Sequence, residues 1–373
     1  MLEFIYQAFP ARVVFGPGKV SDIPGEVERL GGESALVIST GSQRAVADEA
    51  IEALGPRHSV RIDGAVMHVP RDSANGAIAI VAQHACDCIV AIGGGSAVGL
   101  AKAVTLEIGL PIVAVPSTYA GSEMTDIWGI SEGDGKMTGR NQQVVPKSVI
   151  YDPDLTKALP AKIAGPSGIN AMAHSVETLY AQNRNPVLSM IAEEGIRAMA
   201  SGLPAVCDGT AGDDERGAAF YGAFMCGLAL ATATMGIHHK LCHVIGGTFQ
   251  LPHAETHTAI LSHAVHFNRD AAPEAMTAIA RALGVESAAS GLFDLAARVG
   301  APTSLRELGL DEENLDRPAD IATESPHKNP QPVDRDGIRA LLDNAFHGRR
   351  PNNLAMAHLN SHRRRETNGR SES

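Results

Sequence analysis

Asn170 and His174 stand four residues apart, as do His239 and His243; His253 follows ten residues later, just behind Pro252. Side chains four apart share one face of a helix. Imidazoles gathered from facing helices can hold a metal ion, move a proton or donate hydrogen bonds to a developing oxyanion. His238, His257, His263 and His266 crowd the same region. With 15 histidines in the chain, any one alone reads as an ordinary packed or solvated side chain. The two helical pairs together point to a site.

A second constellation is Gly93-Gly94-Gly95-Ser96, which follows the apolar run Cys88–Ile92 and opens a stretch of helical spacing, Ser96 to Ile108. Glycines there allow close backbone approach, and a helix N-terminus presents N–H groups and a positive dipole end to a phosphate. The spacing Gly93-x-Gly95-x-x-x-Gly99 is not the dinucleotide fingerprint. A plain tight turn uses the same glycines; the strand before and the helix after favour the phosphate reading, with Gly94, Gly95 and Ser96 as contacts. The next apolar run, Pro111–Val115, leads into Pro116-Ser117-Thr118-Tyr119-Ala120-Gly121-Ser122-Glu123. Ligands of open α/β sheets sit at the carboxyl ends of strands, so Ser117, Thr118 and Ser122 are expected beside the glycine loop, against a nicotinamide dinucleotide. The first apolar run, Ala35–Ser39, ends in Ser39-Thr40-Gly41, with Arg44 close by and no acid to mark the ribose 2′-hydroxyl. Use of both NADH and NADPH is expected, with Ser39 and Thr40 in contact.

The elements that must position these residues fall into two kinds. Up to about residue 155, short apolar runs alternate with helical spacing, the pattern of a buried parallel sheet. Beyond Asp152-Pro153 helical patterns dominate: Asn170–Gln182, Pro186–Gly202 and Arg216–Ala233, separated by the turns Gly165-Pro166-Ser167-Gly168, Asn185-Pro186 and Asp208-Gly209. The expected fold is an α/β Rossmann-like dinucleotide-binding domain (1–155), an all-α domain (156–350) and a frayed polar tail (351–373). A chain of 373 residues with 44% hydrophobic and 20% charged residues suits two domains with substantial cores. A net charge of −11 argues against nucleic acid. No run reaches the ~18 apolar residues of a membrane span, and the N-terminus lacks a basic leader. Five cysteines without a CxxC pair read as reduced thiols of a cytoplasmic protein.

From about residue 10 to 350 the chain resembles the iron-containing alcohol dehydrogenase superfamily and, within it, the maleylacetate reductase branch. The resemblance rests on Phe15-Gly16-Pro17-Gly18-Lys19, the glycine loop, the 116–123 stretch and Lys147-Ser148-Val149-Ile150-Tyr151-Asp152-Pro153. It continues through Gly168-Ile169-Asn170-Ala171-Met172-Ala173-His174, the His239/His243/His253 set and Asn329-Pro330-Gln331-Pro332-Val333. It implies the two-domain fold shared with dehydroquinate synthases, a homodimer, and reduction of maleylacetate, a small dicarboxylate, to 3-oxoadipate by NADH or NADPH. Metal-dependent members bind iron or zinc through an Asp and three His, matched here by Asn170, His174, His239 and His253. An amide brings a dipole where a carboxylate brings a charge, so no catalytic metal is expected. Enolate stabilisation then falls to His243 and His253 first, with His239 and His174 beside them. Tyr119 is a second candidate proton donor, or else an aromatic packed beneath the cofactor. The resemblance places Lys147 on the cofactor side, and Arg140 or Lys147 are candidate partners for the substrate carboxylates. The rival readings are a metal-dependent alcohol or polyol dehydrogenase, a dehydroquinate synthase-like lyase and a non-catalytic NAD-binding protein.

Overall fold

The structure is a computed structural model and describes residues 3–8, 11–66, 69–133, 135–324 and 328–352. Of the expected tail, residues 353–373 lie outside the described residues. Six strands form one sheet: β1 (Arg12–Phe15), β2 (Ala35–Ser39), β3 (His58–Asp63), β4 (Cys88–Gly93), β5 (Ile112–Pro116) and β8 (Ser148–Tyr151), in the order β1-β8-β5-β4-β2-β3. Every pairing is parallel. β2, β4 and β5 are buried along their whole length, which is why they read as unbroken apolar runs. The edge strands β1 and β3 mix polar and apolar residues and carry no such signal. Helices α1 (Ile23–Arg29), α2 (Arg44–Leu54), α3 (Arg71–His84) and α4 (Gly95–Ile108) pack around the sheet; β6 (Ile127–Glu132) and β7 (Gly135–Arg140) pair as a separate antiparallel hairpin.

The rest is helical: α5 (Ala161–Leu179), α6 (Pro186–Asp208), α7 (Asp213–Thr232), α8 (Ile237–Phe249), α9 (His253–Asn268), α10 (Pro273–Leu283), α11 (Ala288–Arg298), α12 (Asp316–Glu324) and α13 (Arg335–His347). Asn185 caps α6 by accepting the Leu188 N–H, Pro186 fills its first position, and Gly209 ends it in the left-handed region. One sequence expectation is corrected. Gly165-Pro166-Ser167-Gly168 is not a turn; it lies inside α5. Its glycines serve close packing: a Cβ on Gly165 would sit 2.6 Å from the Val299 carbonyl oxygen, and one on Gly168 2.5 Å from Leu203. α6 also runs on past Gly202, through Pro204. No single helix among the described residues is long and apolar enough to cross a membrane.

The largest apolar cluster runs from the sheet (Leu36, Ile38, Ile89) into the helical region (Met172, Leu203, Phe220), so both halves share one core. α6 and α7 cross within it with almost no room. A Cβ on Gly222 would meet the Met199 backbone N at 2.6 Å and Cα at 2.9 Å. Backbone cannot swing aside as a side chain can. Gly222→Ala is therefore expected to cost about 1–3 kcal/mol, the range for overpacking, and to lower the thermal midpoint by several degrees. An unchanged midpoint would show that the two helices slide apart freely.

Candidate active site

The sheet reverses its winding between β2 and β4: the chain leaves β2 toward β3 on one side and β4 toward β5 on the other. A crevice opens at the carboxyl ends of such a pair. Gly93 ends β4 at φ +146°, where a Cβ would lie 2.9 Å from Thr40; one on Gly94 would lie 2.9 Å from the Thr118 hydroxyl. The Ser117 N–H donates to the Gly93 carbonyl (3.1 Å). Ser39, Thr40, Gly94, Gly95, Ser96, Ser117 and Thr118 are thus gathered along one edge, with Gly95 exposed at the start of α4. A cradle without side chains, at a helix N-terminus, fits the pyrophosphate of a dinucleotide.

Lys102 on α4 ties the next loop to this edge. It is 1% exposed, and its ammonium donates to the carbonyls of Ser122 (2.7 Å), Thr125 (2.7 Å) and Ile127 (2.9 Å). Ser122 is therefore fixed inward, its hydroxyl buried without a partner among the described residues. The same loop reaches the histidines. A Cβ on Gly121 would lie 3.2 Å from the Gly227 Cα and 3.5 Å from His174 Nδ1.

α5, α8 and α9 bring the histidine pairs together as their spacing implies. His174 and His239 rings lie 5.2 Å apart, His239 and His243 6.2 Å, and His243 and His253 6.3 Å in a stacked pose. Asn170, His174 and His239 are buried; His243 and His253 are exposed at the mouth. Asn170 Oδ1, His174 Nδ1 and His239 Nε2 are buried without a hydrogen-bond partner among the described residues. Behind them, His238 Nε2 and His257 Nδ1 share a hydrogen bond of 2.9 Å. Burial, reinforced by neighbouring imidazoles, holds His174 and His257 well below the usual histidine range and takes His238 down to about 3. These three rings are neutral near pH 7.

Sequence reasoning missed Glu177. Its carboxylate accepts the N–H groups of Gly236 (3.0 Å), His238 (3.0 Å) and His239 (3.3 Å), and the His239 Nδ1–H at 2.6 Å. Burial would raise this carboxyl, but the bond from His239 and the neighbouring donors outweigh it and hold it below the usual range. The bond also fixes the His239 tautomer, so that Nε2 is the atom facing the site. The signal was available: Glu177 lies three residues beyond His174 and seven beyond Asn170, on the same helical face.

Three expected residues stand elsewhere. Tyr119 is fully buried, packs edge-on against Phe220 at 5.9 Å, and its phenol lies among Thr156, Cys207 and Arg216, with burial pushing its pKa up. It is a core aromatic and not a proton donor at the histidines. Lys147 precedes β8, where its N–H donates to the Ile112 carbonyl at the start of β5. The loop that follows Pro116 leaves the other end of β5, beside the glycine loop and about 13 Å away at the usual strand rise, so Lys147 belongs to the opposite edge of the sheet. Arg140 donates to Asp126 (2.8 Å) and to the Ala231 carbonyl (2.9 Å), bracing the hairpin against the end of α7.

Residues 10–153 match the family model described as iron-containing alcohol dehydrogenase, and residues 165–346 that of the Fe-containing alcohol dehydrogenase family, C-terminal. The chain is 48% identical to a maleylacetate reductase of Burkholderia cepacia, over 94% of this chain and 100% of that one. A solved structure described as a putative alcohol dehydrogenase from Ralstonia eutropha JMP134 superposes with a TM-score of 0.92 at 53% identity, covering 94% and 100% of the two chains. Maleylacetate reductase from Agrobacterium tumefaciens superposes with a TM-score of 0.91 at 44% identity, with the same coverage.

The buried rings make stability depend on acid. His174, His238, His257, His263 and His266 all lie below the ordinary value of 6.5, His263 at about 3 and His266 at about 4, burial being the first cause in each. Below pH 6.5 the unfolded chain binds protons that the folded chain refuses, so stability falls as pH drops and keeps falling until the folded rings titrate. Unfolding at pH 5 is expected to take up about five protons from these rings, measurable by calorimetry in buffers of differing ionisation enthalpy. Uptake no greater at pH 5 than at pH 8 would contradict the buried, neutral arrangement.

Proposed function

Since the chain belongs to the iron-containing alcohol dehydrogenase family, we propose that it reduces the conjugated C=C bond of maleylacetate to give 3-oxoadipate. NADH or NADPH serves as reductant and no metal is required. The substrate reading is supported by the maleylacetate reductases among its relatives, 43–48% identical over 94% of this chain. The observation that carries the metal-free reading is the donor set. Asn170 is a neutral amide at the position that the resemblance matches to an aspartate of metal-dependent members. Glu177, the carboxylate that contacts these rings among the described residues, is spent on three backbone N–H groups and on His239. A divalent ion here would meet neutral donors alone, a poor fit for iron.

A reduced nicotinamide, when bound, supplies the hydride. Added to the carbon β to the ketone, it sends the π electrons toward the ketone oxygen, and an enolate forms. The chain's task is to hold that oxygen and deliver one proton to the α carbon. An imidazole N–H brought against that oxygen would stabilise it as a fixed donor. His243 and His253, exposed at the mouth, can exchange protons with solvent and are assigned the proton delivery. His174, neutral and buried, contributes hydrogen bonding without a charge. His239 is oriented by Glu177, which holds its Nδ1–H and turns Nε2 toward the site.

A second reading, a zinc or iron alcohol dehydrogenase, draws support from His239: an imidazole whose Nδ1–H is held by a carboxylate is also how metal ligands are oriented.

Absorbance at 340 nm separates the two. Turnover of maleylacetate is expected to survive exhaustive chelation, with little activity toward simple alcohols and ketones. Loss on chelation with recovery on adding Zn²⁺ or Fe²⁺ would establish the metal enzyme instead. His243→Ala is expected to lower kcat at least ~100-fold; an unchanged kcat removes that ring from the mechanism. Asn170→Asp should gain metal detectable by elemental analysis if the ligand geometry persists.

A further inference from the structure

We propose that Asp63 sets the choice between the two nicotinamide dinucleotides and tilts it toward NADH. This rests on the reading that the β2/β4 edge binds such a cofactor. In an open dinucleotide-binding sheet an acid near the end of the strand beside the glycine loop accepts the ribose 2′-hydroxyl and repels a 2′-phosphate. The sequence after β2, Ser39-Thr40-Gly41, contains none. The parallel register supplies one from the neighbouring strand: Ser39 pairs with Asp63. The Ser39 hydroxyl donates to Asp63 Oδ1 at 2.9 Å. Past Gly64, at φ +77°, the chain folds back over the end of β2, and the Ala65 N–H donates to the Ser39 carbonyl (3.1 Å). This fixes the carboxylate beside the crevice where Thr40 touches Gly93. The Asp63 side chain is 35% exposed, so a ligand can reach it.

The neighbouring charges set how strong the choice is. Arg61 lies 3.0 Å from Asp63 Oδ2 and also pairs with Asp48. One cation shared between two carboxylates leaves the trio at a net −1. That charge opposes a phosphate dianion but is softened by the guanidinium. A graded preference follows, with NADPH still usable, rather than exclusion. The rival is Arg44, the first residue of α2, which has no ion pair among the described residues and could meet a 2′-phosphate.

The test compares dissociation constants of NADH and NADPH, read by nicotinamide fluorescence without substrate, with the kcat/KM ratio at 340 nm as a second readout. The wild-type chain should bind NADH about tenfold or more tightly than NADPH. Asp63→Asn and the smaller Asp63→Ser should each shift the binding ratio toward NADPH by about tenfold, with NADH affinity changing far less. Asp63→Glu should restore part of the preference. A ratio unmoved in both variants overturns the proposal, as does a wild-type preference for NADPH that Arg44→Ala removes. If neither dinucleotide binds the wild-type chain, the cofactor reading itself fails. If both bind and the ratio ignores Asp63, the cofactor reading stands and this proposal alone falls.

Discussion

The histidine site depends on one buried anion. Glu177 on α5 receives the opening turn of α8, accepting three of its backbone N–H groups and the ring N–H of His239. Burying a carboxylate costs several kcal/mol. Four donors, three of them at the positive end of a helix, offset that cost. The approach demands glycine at 236, where a Cβ would lie 2.9 Å from Glu177 Oε1 and 3.2 Å from Asn329 Oδ1. From the other side, Asn329 and the fully buried Asn268 exchange amide hydrogen bonds of 3.1 and 2.7 Å, and Asn329 also accepts the Ile237 N–H at 3.4 Å. α8 therefore has little freedom to turn, and its His239 and His243 face α5 and α9 in one register.

A comparable tie joins the sheet to the helices. The glycine loop starts α4, α4 carries Lys102, and Lys102 collects the carbonyls of the loop whose Gly121 rests between His174 and Gly227. The loop's other end is held too, since the Tyr119 N–H donates to the Ser167 hydroxyl on α5 at 3.0 Å. The glycine loop and the imidazoles are thus spaced by fixed polar contacts within a continuous apolar core. Hydride transfer needs that spacing reproduced closely, because a misplacement of about 1 Å can cost a hundredfold.

What the sequence shows plainly is whatever local periodicity encodes. Buried strands appear as apolar runs, and the pairs Asn170/His174 and His239/His243 fall on helix faces because i, i+4 geometry is independent of the rest of the chain. The glycine loop is legible because it sits between a strand and a helix. What stays hidden depends on the partner across space. Gly165-Pro166-Ser167-Gly168 has turn composition, yet its small residues let α5 meet Val299 and Leu203. Asp63 lies beside Ser39 only through strand register. Lys147 sits near the cofactor motifs in a linear reading but at the far edge of a parallel sheet. Tyr119 occupies the polar loop yet turns its ring toward Phe220, because burying a large aromatic surface is favourable.

Charge balance links Glu177 to the chemistry. An aspartate at position 170 would meet a bound cation with a negative charge directly, where Asn170 offers a dipole. Here the negative charge has moved one step back, behind His239, and Asn170 contributes none. Among the described residues, the carboxylate hydrogen-bonded to these rings is Glu177, held behind His239. His174, His238 and His257 are kept neutral by burial and by one another. Asn170 and Glu177 thus divide the work: the amide faces the site without a charge, while the carboxylate holds the start of α8 and orients His239.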